Sequence, residues 1–426
     1  MGDTRQLAEA REVPATGAAE PPAARRADLD AMRSFVVVGL VVFHSAMVFA
    51  PGTSWFVTSS QTSGAFTVFL LWGSLWGMPL LFVVSGMGVR YALRTRSPRV
   101  FVRERLGRLL IPFLTGLIVL VPPMFYAARL AQPGFDESYW RFWLSFVNVP
   151  AIAAGLLPRN TWTSSGDGFD PAHLWFLYVL LVFSLALLPL FCWLRGERGR
   201  HAVDVAARFA HRRPLLTVAA AALPVMAVEG VFGPDVDTGG WERLTYLFPF
   251  LYGFLIASDA RFARALRRSR RPALACAVVA SAALLGWAGL LNASGTDLPP
   301  GWGALQGLAG WAWLAAILGF AGSAEHGSRP AMRTIRAQAP APRWNGAVGY
   351  ANDAVLPFYL LHEPVIVAAA WFIARWQAPA AVQYFALVAV SLATTLALYE
   401  VLVRRFRIPR LLLGMKPSPA GRTTGG

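Results

Sequence analysis

Several polar side chains of this sequence lie inside apolar stretches long enough to enter a membrane, where an ionisable group costs about 2.5 kcal/mol or more and so marks a candidate for function. His44 sits in MRSFVVVGLVVFHSAMVF, eleven residues after Arg33. At 1.5 Å per residue it lies roughly 16 Å along a helix from the charged edge. A neutral imidazole at that depth can accept a proton; the plainer alternative is a packing bond to a neighbouring helix. RERLGRLLIPFL holds Arg103, Arg105 and Arg108, of which Arg105 and Arg108 are spaced i, i+3 and share one helix face. Paired guanidinium groups suit phosphate, which they bind bidentately, although ordinary basic loops at a membrane face look the same.

A third group lies late in the chain. GYANDAVLPFYLLHEPVI contains Asn352, Asp353, His362 and Glu363, and LYEVLVRRF contains Glu400 with Arg404 at i+4, a spacing that predicts a structural ion pair. His362 falls at mid-depth by the same counting. The group reads as more structural than catalytic, with His362 and Glu363 retained as candidate substrate-binding residues. His173, in DPAHLWFLYVLL, follows the loop TWTSSGDGFD and is expected to face the extracytoplasmic space, where such a loop could bind sugar. His201, His211 and His326 lie in basic loops and are expected to do no chemistry. Cys192 and Cys276 are the only cysteines and predict neither a disulfide nor a metal framework. No metal constellation, glycine-rich phosphate loop or serine-nucleophile elbow is visible.

The elements that must position these residues follow from composition. With 426 residues, 56% hydrophobic, 15% charged and 16 tryptophans, the chain is too apolar for a soluble globule and predicts an all-α, polytopic membrane protein. The net charge of +16 does not signal nucleic acid, because the basic residues are parcelled into short runs between apolar stretches. Runs of about 20 apolar residues predict about ten transmembrane helices: 34–50, 66–89, 109–128, 172–194, 214–232, 242–257, 272–291, 302–321, 350–373 and 382–403. The first and sixth are short. The stretch 142–157 reads as an interfacial or re-entrant piece of an outer loop.

Cytoplasmic loops retain positive charge during insertion. The segments 1–33, 90–108, 195–213, 258–272, 322–347 and 404–426 carry 34 of the 39 basic residues, while 51–65, 233–241 and 292–301 carry none. N- and C-termini are therefore expected in the cytoplasm. Residues 1–27 and 407–426 read as disordered cytoplasmic tails around a 28–406 transmembrane domain, with no cleaved signal in the first. No inverted repeat of the transporter kind is apparent.

The segments LDAMRSFVVVGLVVFH, MPLLFVVSGM (78–87), RLGRLLIP (105–112), HLWFLYVLL (173–181), LPFYLLHEPVI (356–366) and YEVLVRRF (399–406) occur in an order and spacing that resembles the acyltransferase family 3 membrane proteins, and among them the glucan biosynthesis protein C-like branch. That resemblance implies an inner-membrane enzyme that moves an acyl group from acyl-CoA to a hydroxyl of an extracytoplasmic carbohydrate or glycolipid, within the lipid bilayer and without a metal or prosthetic group. It implies His44 as the essential base, Arg33 as its motif partner, and Arg105 and Arg108 as the donor-holding residues. The rival expectation is a proton-coupled transporter or translocase of a sugar or lipid-linked substrate, which intramembrane His, Glu and Asp would also suit.

Overall fold

The computed structural model describes residues 24–53, 55–147, 171–232, 241–294, 301–324 and 344–415. These form helices α1 (Ala24–Met47), α2 (Gly64–Thr95), α3 (Pro98–Leu130), α4 (Tyr139–Phe146), α5 (Trp175–Ala186), α6 (Leu188–Arg195), α7 (Glu197–Arg212), α8 (Pro214–Phe232), α9 (Leu247–Ser258), α10 (Ala260–Ser294), α11 (Trp302–Ala324), α12 (Trp344–Ile373), α13 (Ala380–Leu398) and α14 (Arg407–Leu412). No strand occurs among the described residues.

Among the described residues seven helices are long and apolar enough to cross a membrane, and α5 with α6, bent by 48°, makes an eighth if counted as one span. The short first and sixth segments appear as the shorter apolar helices Ala31–Met47 and Arg243–Ser258. All ten apolar segments thus fall on helices, but two are shorter than the roughly 20 residues that a straight crossing needs. Of the stretch 142–157, residues 142–146 fall in α4, which exposes Trp140 and Leu144. Residues 148–157 lie outside the described residues, as do 1–23, the polar loop 161–170, His326 and 416–426.

Helix α2 is the wall on which the bundle is built. It packs against α1 on one side and against α9 and α11 on others, while α1 also meets α12 and α13, and α8, α10 and α11 pack together. Contact between α2 and α9 is nearly backbone to backbone. A Cβ on Gly86 would lie 1.9 Å from the Phe250 carbonyl oxygen, and one on Gly253 would lie 1.9 Å from that of Val83. Small residues at crossings let apolar helices gain dispersion energy that lipid cannot replace. Gly86→Ala must therefore push the helices apart and should destabilise the protein by about 1–3 kcal/mol. A thermal-unfolding midpoint in detergent equal to the parent's would refute this close packing.

Prolines four residues beyond a carbonyl shape the other elements, because each removes the N–H that carbonyl would accept. In α3, Pro122 leaves the Ile118 carbonyl without its helical donor, and the Trp143 indole N–H supplies one at 2.8 Å, docking α4 on α3. The same helix contains π-turns at Leu106–Leu110 and Gly116–Leu120, features that collect at functional sites. On the charged side, Arg261 bridges Asp204 of α7 at 2.6 Å and Asp259 at 2.7 Å. Its hydrogen bond holds the Asp204 carboxyl below the usual carboxylate range.

The segment from Arg407, expected as a tail, begins with α14. Leu413 and Met415 are buried, and Gly414, at φ +73°, packs against Pro112 and Leu356. Glu400 forms the ion pair expected from its spacing, with Arg404 Nη1 at 3.0 Å, and also accepts the Tyr350 hydroxyl at 2.5 Å.

Candidate functional site

Three histidines far apart in sequence meet inside the bundle. His44, in the last turn of α1, is half-buried; His362 and Glu363 of α12 and His173, just before α5, are buried. His44 Nδ1 lies 2.9 Å from His362 Nε2, with the two rings nearly parallel, 18° between their planes and 5.1 Å between centroids. The other nitrogen of His362, Nδ1, faces the Tyr359 carbonyl oxygen at 2.6 Å.

His173 points into the protein, which corrects the expectation that it faces outward. Its Nε2 lies 3.2 Å from the Leu360 carbonyl oxygen and its Nδ1 lies 2.8 Å from Glu363 Oε2. The cause is Pro364: four residues beyond Leu360, it cannot donate to that carbonyl, and the imidazole takes the vacant place. The Leu360 carbonyl accepts only, so Nε2 carries a hydrogen, and the Nδ1 to Oε2 contact then holds one further proton between its partners. Neither of those two atoms has another partner among the described residues.

Tyr359, which sequence reasoning missed, donates its hydroxyl to the backbone carbonyl of His173 and is buried. This bond clamps a strained turn, since Ala172 has a φ of +48°, a left-handed conformation costly for a residue with a Cβ. Tyr359 and His362 are spaced i, i+3, the signal that places both on one face of α12.

The ligand-capable atoms of His44, His362 and Glu363 all lie within 4.8 Å of one another and so could hold a metal ion, a convergence that the sequence, with no metal-binding spacing, does not show. The donor chemistry fits such an ion, but the 2.9 Å between His44 Nδ1 and His362 Nε2 is a direct hydrogen bond. It is shorter than the about 3.3 Å between ligands of a tetrahedral zinc ion with 2.0–2.1 Å bonds.

The arginines gather separately, near the start of α1 and α3. Arg33 reaches the Val84 carbonyl oxygen at 3.4 Å, and a Cβ on Gly88 would lie 2.5 Å from its guanidinium, so the glycine makes the groove that the side chain occupies. Arg105 lies over the ring of buried Phe101 at 5.0 Å, within electrostatic reach of Arg33, Arg96 and Arg108. Arg105 is partly buried, and Arg108 and Arg103 are exposed. Arg96 is paired with Glu104 at 2.6 Å. A concentration of guanidinium groups with one intervening carboxylate suits a polyanion. The structure therefore brings Arg33, Arg105 and Arg108 into one basic cluster and His44, His173, His362 and Glu363 into another, eleven residues of α1 apart.

Residues 26–400 match the profile of acyltransferase family 3, described as an acyltransferase domain. The chain belongs to that family. Among curated proteins it is similar to glucans biosynthesis protein C of Salmonella paratyphi B, Salmonella heidelberg and Salmonella enteritidis PT4, each 25% identical over 178 residues. These alignments cover 42% of this chain and 42% of each relative. No solved structure matches it.

Proposed function

We propose that the chain is an integral-membrane O-acyltransferase of the inner membrane, moving an acyl group from cytoplasmic acyl-CoA to a hydroxyl of an extracytoplasmic carbohydrate or glycolipid. The observation that supports this reading most directly is the pairing of His44 with buried His362 inside the bundle, eleven residues of α1 from Arg33 and its neighbouring arginines. On this reading α1–α13 make ten crossings with both termini inside. The basic cluster of Arg33, Arg105 and Arg108 faces the compartment that contains coenzyme A. The donor's phosphates bind there while its thioester extends inward to His44.

The reaction asks for a base and a stabilised oxyanion. His44 removes the acceptor hydroxyl proton as the oxygen attacks the thioester carbonyl carbon. When the tetrahedral intermediate collapses, the C–S bond breaks and the imidazolium returns its proton to the departing thiolate. An ester and free coenzyme A are the products.

The test is transfer from radiolabelled acyl-CoA by purified protein in lipid vesicles, with acetyl and succinyl donors and a glucan acceptor, for the parent and a His44 variant. His44-dependent transfer is expected. A parent that moves no acyl group from any thioester, yet moves protons or sugar across the vesicle wall, would replace this reading with that of a carrier.

A further inference from the structure

Resting on the acyltransferase reading, we infer that His362 is a positioning residue that holds His44 in its Nδ1–H tautomer, leaving His44 Nε2 as the atom that accepts the acceptor's proton. The argument is a count of hydrogens. A backbone carbonyl only accepts, so the 2.6 Å contact between His362 Nδ1 and the Tyr359 oxygen fixes a hydrogen on His362 Nδ1. In neutral His362 the other nitrogen, Nε2, is then a bare acceptor. Its partner at 2.9 Å is His44 Nδ1, which must donate. His44 Nε2 is left with its lone pair, pointing away from the bonded side of the ring.

The order runs one way only: Tyr359 carbonyl, His362, His44, substrate. It is the logic by which a hydrogen-bond partner on one imidazole nitrogen decides what the other can do. Here the partner is another histidine, itself oriented by its own helix. The arrangement is held on its far side by the ring of His173, whose centroid lies 5.3 Å from that of His362, and by Tyr359, 5.8 Å away. Glu363 has an oxygen within 4.8 Å of His44 and of His362, so the pair that it forms with His173 lies beside the positive charge that His44 acquires when it takes the proton. His173, His362 and Glu363 thus act on each other and on His44, and are occupied by those contacts rather than presented to an acceptor.

The bond is proton-neutral, and the cycle balances within it. The hydroxyl proton passes to His44 Nε2, the imidazolium stays bonded to His362 through Nδ1–H, and the same proton leaves from Nε2 to the thiolate. His362 neither gains nor loses a proton over the turnover.

Two variants separate positioning from bulk. His362→Leu removes the acceptor, and His362→Gln keeps one, because the amide oxygen extends about as far as Nε2. With the parent active and His44→Ala inactive, His362→Leu is expected to lower kcat at least 100-fold with the donor KM within about twofold, the range that a misplaced base loses. His362→Gln should recover at least tenfold of that loss. A His362→Leu enzyme within threefold of the parent kcat, or a His362→Gln enzyme no better than His362→Leu, overturns the assignment. A parent that is inactive with every donor sinks the acyltransferase reading instead.

Because His362→Leu could fail to fold, the tautomer is also read directly in the parent. In protein enriched with 15N-histidine, the imidazole signals that vanish in His44→Asn should be those of a ring protonated at Nδ1, opposite to the commoner form of free histidine. Signals of a ring protonated at Nε2 overturn the inference. So does a stoichiometric metal in the purified parent that is lost on replacing His44, since it would occupy the nitrogens the bond requires.

Discussion

His44→Ala should lower kcat for acyl transfer by about 10²–10⁴-fold, the contribution of a positioned acid–base group. Alanine also leaves His362 Nε2 without its donor, and a buried acceptor so orphaned costs about 1–3 kcal/mol. Lost activity in this variant therefore mixes chemistry with stability. His44→Asn separates them. Its amide N–H can replace Nδ1–H as donor to His362, and the half-buried position between Phe43 and His362 tolerates the smaller side chain. It has no group that can take a proton from a hydroxyl at neutral pH. We expect His44→Asn to unfold at the parent's temperature and to be as inactive as His44→Ala. Activity in the asparagine variant within tenfold of the parent would show that position 44 supplies a hydrogen bond and that the base lies elsewhere.

How far this site was legible in the sequence depends on distance along the chain. The polar residues were visible because each interrupts an apolar run, and the helix over 214–232 falls at Pro214–Phe232 because Pro214 opens it and the apolar run ends with it. The pairing of His44 with His362 was not visible, since it requires knowing that α1 lies against α12. The sequence predicts an outward His173 because the residue opens a span at its expected outer end. What turns it inward is the Leu360 carbonyl that Pro364 leaves unbonded, a local signal in LLHEP that can be read from sequence only once a donor on another helix is known to be within reach. The tail expected from Arg407 misled for a similar reason: Leu411, Leu412, Leu413 and Met415 are an apolar patch too short for a span, yet Leu413 and Met415 are buried, and Gly414 between them packs against Pro112 of α3 and Leu356 of α12. Spacing along α1, by contrast, follows from counting residues, and it separates the arginine and histidine clusters in the sequence as it does in the fold.

That separation leads to the second large effect. Arg105→Ala should raise the KM for acyl-CoA by about 10–100-fold with a small change in kcat, because hydrogen bonds to charged groups contribute about 1.5–3 kcal/mol and each 1.4 kcal/mol is tenfold in affinity. Arg105 is the residue of choice because its guanidinium is held over Phe101 and lies within reach of Arg33, Arg96 and Arg108, so a phosphate bound there meets several positive charges at once. Arg105→Lys should recover only part of the loss, since an ammonium cannot offer the planar fork. The decisive comparison uses an acyl-pantetheine thioester, which has the reacting carbonyl but none of the nucleotide phosphates. The parent should handle it with the raised KM of Arg105→Ala, and Arg105→Ala should lose nothing further with it. Raising salt should weaken acyl-CoA binding and leave the pantetheine thioester unaffected. If Arg105→Ala impairs both thioesters equally, the arginine supports the fold or the reacting centre, and the phosphates of the donor, if it has them, are held by other residues.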